Sequence, residues 1–166
     1  MSGKIGLVGP IINTDLDVCF GGKVVGIIDG EKEDERVKIT KHGSFSQTYD
    51  ECPSSMAFIK QNDKIIHIDC VRWDTGSNHT YMDVSEAKSF IRDPDSNSVV
   101  SGVDGIQRKS NDYDVTIVLP GGIELSHVSA GDLDLSSLRP IKAIIGMDVI
   151  SQGKFVIKKD RFSFSI

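Results

Sequence analysis

The sequence predicts an all-β protein, mainly strand with one or two short helices. Three observations point there. The apolar segments are short, turn-forming residues separate them, and several neighbouring pairs are joined by glycine-rich links of the kind that close hairpins. At 166 residues the chain suits one domain carrying an extension.

Taken in order, residues 16–20 and 23–28 are apolar runs joined by Gly21-Gly22, a hairpin signal. Residues 29–36 form an acidic, solvated loop, and 37–40 read as a short strand. Gly, Ser, Asp, Cys and Pro are scattered through 41–55, which reads as loop or linker. Strands are predicted at 56–60 and 64–73 around the turn Gln61-Asn62-Asp63. Asp83-Val84-Ser85-Glu86 has the spacing of a capping box and predicts a short helix to about Phe90. Residues 99–100 and 106–109 flank a hairpin tip, Ser101-Gly102-Val103-Asp104-Gly105, and a polar loop follows over 109–114. Residues 115–119 and 123–128 flank Pro120-Gly121-Gly122 as a second hairpin. The chain closes with an apolar strand at 141–145, a single helical turn at 146–151, and a strand pair, 154–158 with 161–166, across Lys159-Asp160.

Composition removes several function classes. The formal net charge of −5 opposes broad binding to a phosphate backbone, which needs clustered Lys and Arg. No apolar run approaches the roughly 18–20 residues that cross a bilayer, and the N-terminus lacks the apolar stretch of a secretory signal; no membrane partner and a cytoplasmic location are expected. The three cysteines, Cys19, Cys52 and Cys70, contain no CxxC pair, and the four histidines show no ligand spacing. Asp93-x-Asp95-x-Asn97 lacks the glycine and distal glutamate of a calcium loop. Residues 6–10 lack the Lys-Ser/Thr ending of a phosphate loop and read as a turn. No metal and no cofactor are expected.

Chemistry concentrates in an arrangement of three parts. Trp73-Asp74-Thr75-Gly76-Ser77 follows directly on an apolar strand. A carboxylate on a tight turn at a strand end can be held by neighbouring backbone and hydroxyl groups; Gly76 lets the backbone approach closely, Thr75 can fix the turn, and Ser77 can reach the carboxylate. The glycine-tipped hairpin at 102–105 can close over a ligand. Ala143-Ile144-Ile145-Gly146-Met147-Asp148-Val149-Ile150 suits a buried strand that crosses behind the turn and enters a short helix, where Asp148 reads as a helix-start residue.

In this order of motifs, residues 58–166 resemble a bacterial or phage-type relative of the retroviral aspartic proteases, the retropepsins. The tail from Ile145 through Gly146-Met147-Asp148 to Phe162-Ser163-Phe164 is especially similar to the bacterial group. The resemblance implies a retropepsin-like acid protease barrel with one half-site per chain, residues 56–166 forming that domain and 1–55 a β-rich extension of unknown role. It implies an aspartic endopeptidase acting on polypeptide substrates. Because one Asp-Thr-Gly cannot provide both acids, it implies a homodimer in which each copy donates Asp74. Thr75, Gly76 and Ser77 carry over as supports of the catalytic turn. Gly102, Val103, Asp104 and Gly105 carry over as the flap tip, Asn78 as a substrate contact, and Ile145, Gly146 and Asp148 as the structure behind the site. His79 and Met147 depart from the residues often found at their positions, and the polar 109–114 segment implies a longer flap. A binding or assembly module that keeps the fold without catalysis, and an unrelated small-molecule β-barrel, are the alternative readings.

Overall fold

The computed structural model describes residues 26–29, 36–102 and 104–166. The hairpin expected over 16–28 lies mostly outside them, as do Cys19, Val103, residues 6–10 and most of the acidic loop. Twelve strands are described: β1 (Gly26–Asp29), β2 (Lys38–Lys41), β3 (Ser44–Thr48), β4 (Ser54–Gln61), β5 (Lys64–Trp73), β6 (Tyr81–Asp83), β7 (Asn97–Ser101), β8 (Gln107–Val118), β9 (Glu124–Leu133), β10 (Ala143–Ile145), β11 (Lys154–Lys158) and β12 (Arg161–Ser165). Two one-turn helices interrupt them, α1 (Val84–Ala87) and α2 (Met147–Ile150).

The chain is all-β, as its sequence predicts. The strands β9, β6, β10, β5, β4 and β8 hydrogen-bond in that order, and β8 pairs back onto β9, which closes a six-stranded barrel. Closure removes free sheet edges. Outside the ring, β2 adds to β9 and β7 adds to β8. A second sheet runs β1, β11, β12, β3. The three described strands before residue 50 therefore pair with strands from the later part of the chain.

The two sheets meet at Trp73. Its ring stacks on Phe155, with centroids 5.4 Å apart, and packs against Phe164 at 4.9 Å, Phe162 at 5.7 Å and Phe45 at 5.7 Å. Period-two alternation puts Phe155 and Ile157 of β11 and Phe162 and Phe164 of β12 on one face, and register pairs Phe155 with Phe164 and Ile157 with Phe162. The indole N–H donates to Ser55 Oγ at 2.9 Å, so a side chain only 1% exposed leaves no polar atom orphaned.

Three segments differ from the sequence expectation. Residues 41–55 were expected as loop, yet β3 lies within them. Its Ser-Phe-Ser-Gln-Thr pattern offers one aromatic, Phe45, too little apolar signal to mark a strand, and pairing with the matching Arg-Phe-Ser-Phe-Ser of β12 supplies the rest. The polar 109–114 loop is instead the middle of β8, whose backbone is satisfied by β7 on one side and β9 on the other. The helix expected to reach Phe90 stops at Ala87. Asp83 does not cap it; its carboxylate takes Ser85 Oγ at 2.8 Å and the Leu135 N–H at 3.3 Å instead. Among the described residues no helix is long and apolar enough to cross a membrane.

Replacing Phe164 with alanine removes one wall of the Trp73 cluster. The free energy of urea unfolding should fall by about 3–5 kcal/mol at fixed protein concentration, with the emission of the single tryptophan shifting to longer wavelength.

Candidate active site

Burial alternates cleanly where β5 ends. Val71, Trp73 and Thr75 are buried in the core, while Cys70, Arg72 and Asp74 are half-buried on the other face. Asp74 thus leaves the barrel wall on the side away from the core. The parallel neighbour β10 sets its position: Ile145 lies in register with Trp73, and the Asp74 N–H donates to Ile145 O at 2.9 Å, carrying the ladder one residue past the strand. The chain then turns, with the Ser77 N–H donating to Asp74 O at 3.1 Å. The Gly76 N–H donates to Asp74 Oδ1 at 2.9 Å, so the turn itself orients the carboxylate. Among the described residues, Asp74 Oδ2 and the Thr75 hydroxyl have no hydrogen-bond partner. The Ser77 hydroxyl donates to His79 O at 2.7 Å and not to Asp74.

A clamp behind the turn holds it to α2. The Met147 and Asp148 N–H groups donate to Ser77 O at 2.8 Å and Asn78 O at 3.2 Å. In return, the Asp148 carboxylate accepts the Thr80 N–H at 2.9 Å and the Thr80 hydroxyl at 2.8 Å, and the Gly146 N–H donates to Thr80 Oγ1 at 3.2 Å. Gly146 is required by this approach: a Cβ there would stand 2.3 Å from His79 O, a backbone atom that cannot move aside without breaking the turn. Burial pushes the Asp148 carboxyl above its ordinary range, against the two Thr80 donors and nearby His79, which favour the charged form. Asp148 also lines a polar cavity of about 210 Å³ with His79, Tyr81, Asp112 and His127.

The glycine-tipped hairpin joins β7 to β8. The Gly102 N–H donates to Ile106 O at 3.3 Å, the Gly105 N–H to Gly102 O at 3.0 Å, and Gly105 takes a φ of 72° that favours glycine. Asp104 is engaged within the tip: Arg108 Nη2 donates to its Oδ2 at 2.7 Å and the Ile106 N–H to its Oδ1 at 2.9 Å. The Arg108 guanidinium holds this exposed carboxyl down at about 2. Among the described residues no hydrogen bond joins residues 102–105 to the 74–78 turn.

The structure thus brings Asp74, Thr75, Gly76, Ser77, Asn78, Ile145, Gly146 and Asp148 into one constellation, to which the described residues of the hairpin tip form no hydrogen bond. Sequence reasoning missed three residues. Thr80 is the hub of the clamp, Ser55 holds the Trp73 indole, and Arg72 shares the face of Asp74. Their strand alternation around Asp74 was the one signal available for Arg72; Thr80 and Ser55 act through partners remote in sequence. Among the described residues no group of three or more His, Cys, Asp or Glu is placed to hold a metal ion.

No family model matches the chain, and no curated protein matches it. Among solved structures it is similar to the crystal structure of a retropepsin-like aspartic protease from Rickettsia conorii, at a TM-score of 0.53 and 16% identity, over 77% of this chain and 95% of that one. The likeness is one of fold: the barrel is retropepsin-like.

The raised Asp148 acid makes stability depend on pH with a definite sign. Its contribution is complete while the group is neutral in both states, below the ordinary carboxylate value of about 3.9, and is lost as pH rises through the higher folded value. Urea unfolding at several pH values from about 4 to 8 should therefore show a decline in wild type that is shallower in Asp148→Asn, which cannot ionise.

Proposed function

We propose that the chain is one half of an aspartic endopeptidase, completed when two copies meet about a twofold axis and each presents Asp74. The observation that carries this reading is the Asp74 turn. Its carboxylate is oriented through Oδ1 by its own backbone, buttressed from behind by α2, and left with Oδ2 unpaired on the face away from the core. The retropepsin-like barrel supports it.

In such a pair two carboxylates stand about 3 Å apart and cannot both ionise, so they share one proton. The ionised member takes a proton from water as its oxygen attacks the scissile carbonyl carbon. The protonated member gives its proton to the carbonyl oxygen, forming a neutral gem-diol. Collapse of that diol breaks the C–N bond as a proton passes to the departing nitrogen, and the shared-proton state returns. No covalent enzyme intermediate forms. The hairpin at 102–105 would close over the peptide and exclude water, with Asn78 contacting the substrate beside the turn. Thr75, Gly76 and Ser77 would support the acid; Ile145, Gly146 and Asp148 would hold the turn from behind. In this reading residues 56–166 carry the half-site, and the extension over 1–55 lends strands to its flanks. A cytoplasmic homodimer acting on polypeptides, with neither metal nor cofactor, completes the proposal.

The test is cleavage of unfolded casein, and of the protein itself, at about pH 4 to 7, with solution mass measured alongside. Asp74→Asn should lower the rate by about 100- to 10,000-fold while the dimer persists. A wild-type dimer that cleaves nothing under any of these conditions would leave a binding module of the same fold, and a stable monomer would remove the shared-acid mechanism.

A further inference from the structure

The face of β5 that carries Asp74 also carries an unanswered cation. Arg72 lies two residues earlier, in register with Ile144 of β10, and Ile144 lies in register with Tyr81 of β6. Residues directly opposed on neighbouring strands project from the same side of a sheet. Arg72, Ile144 and Tyr81 therefore form one row, on the opposite side from Trp73 and Ile145. Tyr81 and Ile144 belong to a small apolar cluster separate from the main core, and Cys70, Leu133 and Val100 pack against it. Val100 comes from β7, a strand of the glycine-tipped hairpin, so this hairpin packs against the cluster that holds Tyr81 and Ile144.

The Arg72 Nε is buried and has no hydrogen-bond partner, and among the described residues none of its nitrogens is given a carboxylate. Of the acids nearest in sequence, Asp74 is oriented by the Gly76 N–H and forms no ion pair with Arg72, and Asp69 lies 3.3 Å from His67. Burial raises the Cys70 thiol, against the nearby Arg72 cation, which lowers it. A guanidinium offers five N–H donors in a planar fork, and leaving buried donors without acceptors is unfavourable. The arrangement suits a carboxylate brought from outside, gripped through two parallel hydrogen bonds.

Resting on the protease reading, we propose that Arg72 is a specificity residue of the cleft and receives the carboxylate of a glutamate or aspartate in the substrate, beside the bond that is cut. Two strand residues span about 6.6 Å, so Arg72 reaches a substrate side chain one or two positions from the carbon that Asp74 addresses. The chain itself is acidic, so such recognition has to come from a local cation and not from the overall field.

The experiment uses the full-length protein and two peptides that differ only in Glu or Gln beside the cleaved bond, with cleavage sites in unfolded proteins mapped by mass spectrometry. Wild type should cut the Glu peptide about 10- to 100-fold more efficiently than its Gln twin in kcat/KM. Arg72→Leu, whose side chain suits Ile144, should bring the ratio near one and move the mapped sites toward apolar residues; Arg72→Lys should keep part of the preference. A wild-type ratio near one overturns the proposal without help from any variant and leaves the protease reading standing. So does an Arg72→Leu protein that still favours Glu. A wild-type ratio near one combined with a dissociated Arg72→Leu dimer reassigns Arg72 to the contact between copies. Absence of all cleavage by wild type sinks the protease reading itself, a result distinct from loss of selectivity.

Discussion

The short parallel ladder between β5 and β10 is the constraint on which the rest of the site depends. It brings together two segments far apart in the chain, and its last hydrogen bond, from the Asp74 N–H to Ile145 O, sets where the strand ends and the turn begins. Parallel neighbours cannot be joined by a tight turn; they need a long crossover. Here the crossover includes α1, the glycine-tipped hairpin and β9.

Around this ladder the protein separates two tasks by side-chain parity. Odd positions of the terminal stretch of β5, Val71 and Trp73, together with Thr75, face the core, and even positions, Arg72 and Asp74, face outward. Trp73 anchors the odd side by joining the barrel to the second sheet through four phenylalanines. A slip of one residue in the register would exchange the two faces, placing a tryptophan outside and a carboxylate in an aromatic core. The burial of Trp73 and the outward placement of half-buried Asp74 are thus consequences of one alignment.

The clamp between Asp148 and Thr80 solves a different problem. A turn of small polar residues buries little apolar side chain, so much of its rigidity comes from hydrogen bonds. Two N–H groups of α2 take the carbonyls of Ser77 and Asn78, and one carboxylate returns to take both donors of Thr80. Asp148 is better suited to this buried structural work than to proton transfer, because its oxygens are already engaged. Asp74, by contrast, keeps one oxygen unengaged among the described residues.

Local pattern determined much of this protein. The all-β class, the apolar β5, the Asp-Thr-Gly-Ser turn after it, both glycine hairpins, the turn after Ile145 and the final strand pair are all legible because each is written in contiguous residues: alternation, turn formers and their spacing. The failures share one physical cause. β3 and the polar half of β8 are strands because partners elsewhere satisfy their backbones, and Thr80 and Ser55 matter because Asp148 and Trp73 are folded against them. The row of Arg72, Ile144 and Tyr81 exists only once three strands are in register. Periodicity along a chain specifies which way a side chain points, but not what it will meet, and meeting is what tertiary structure decides.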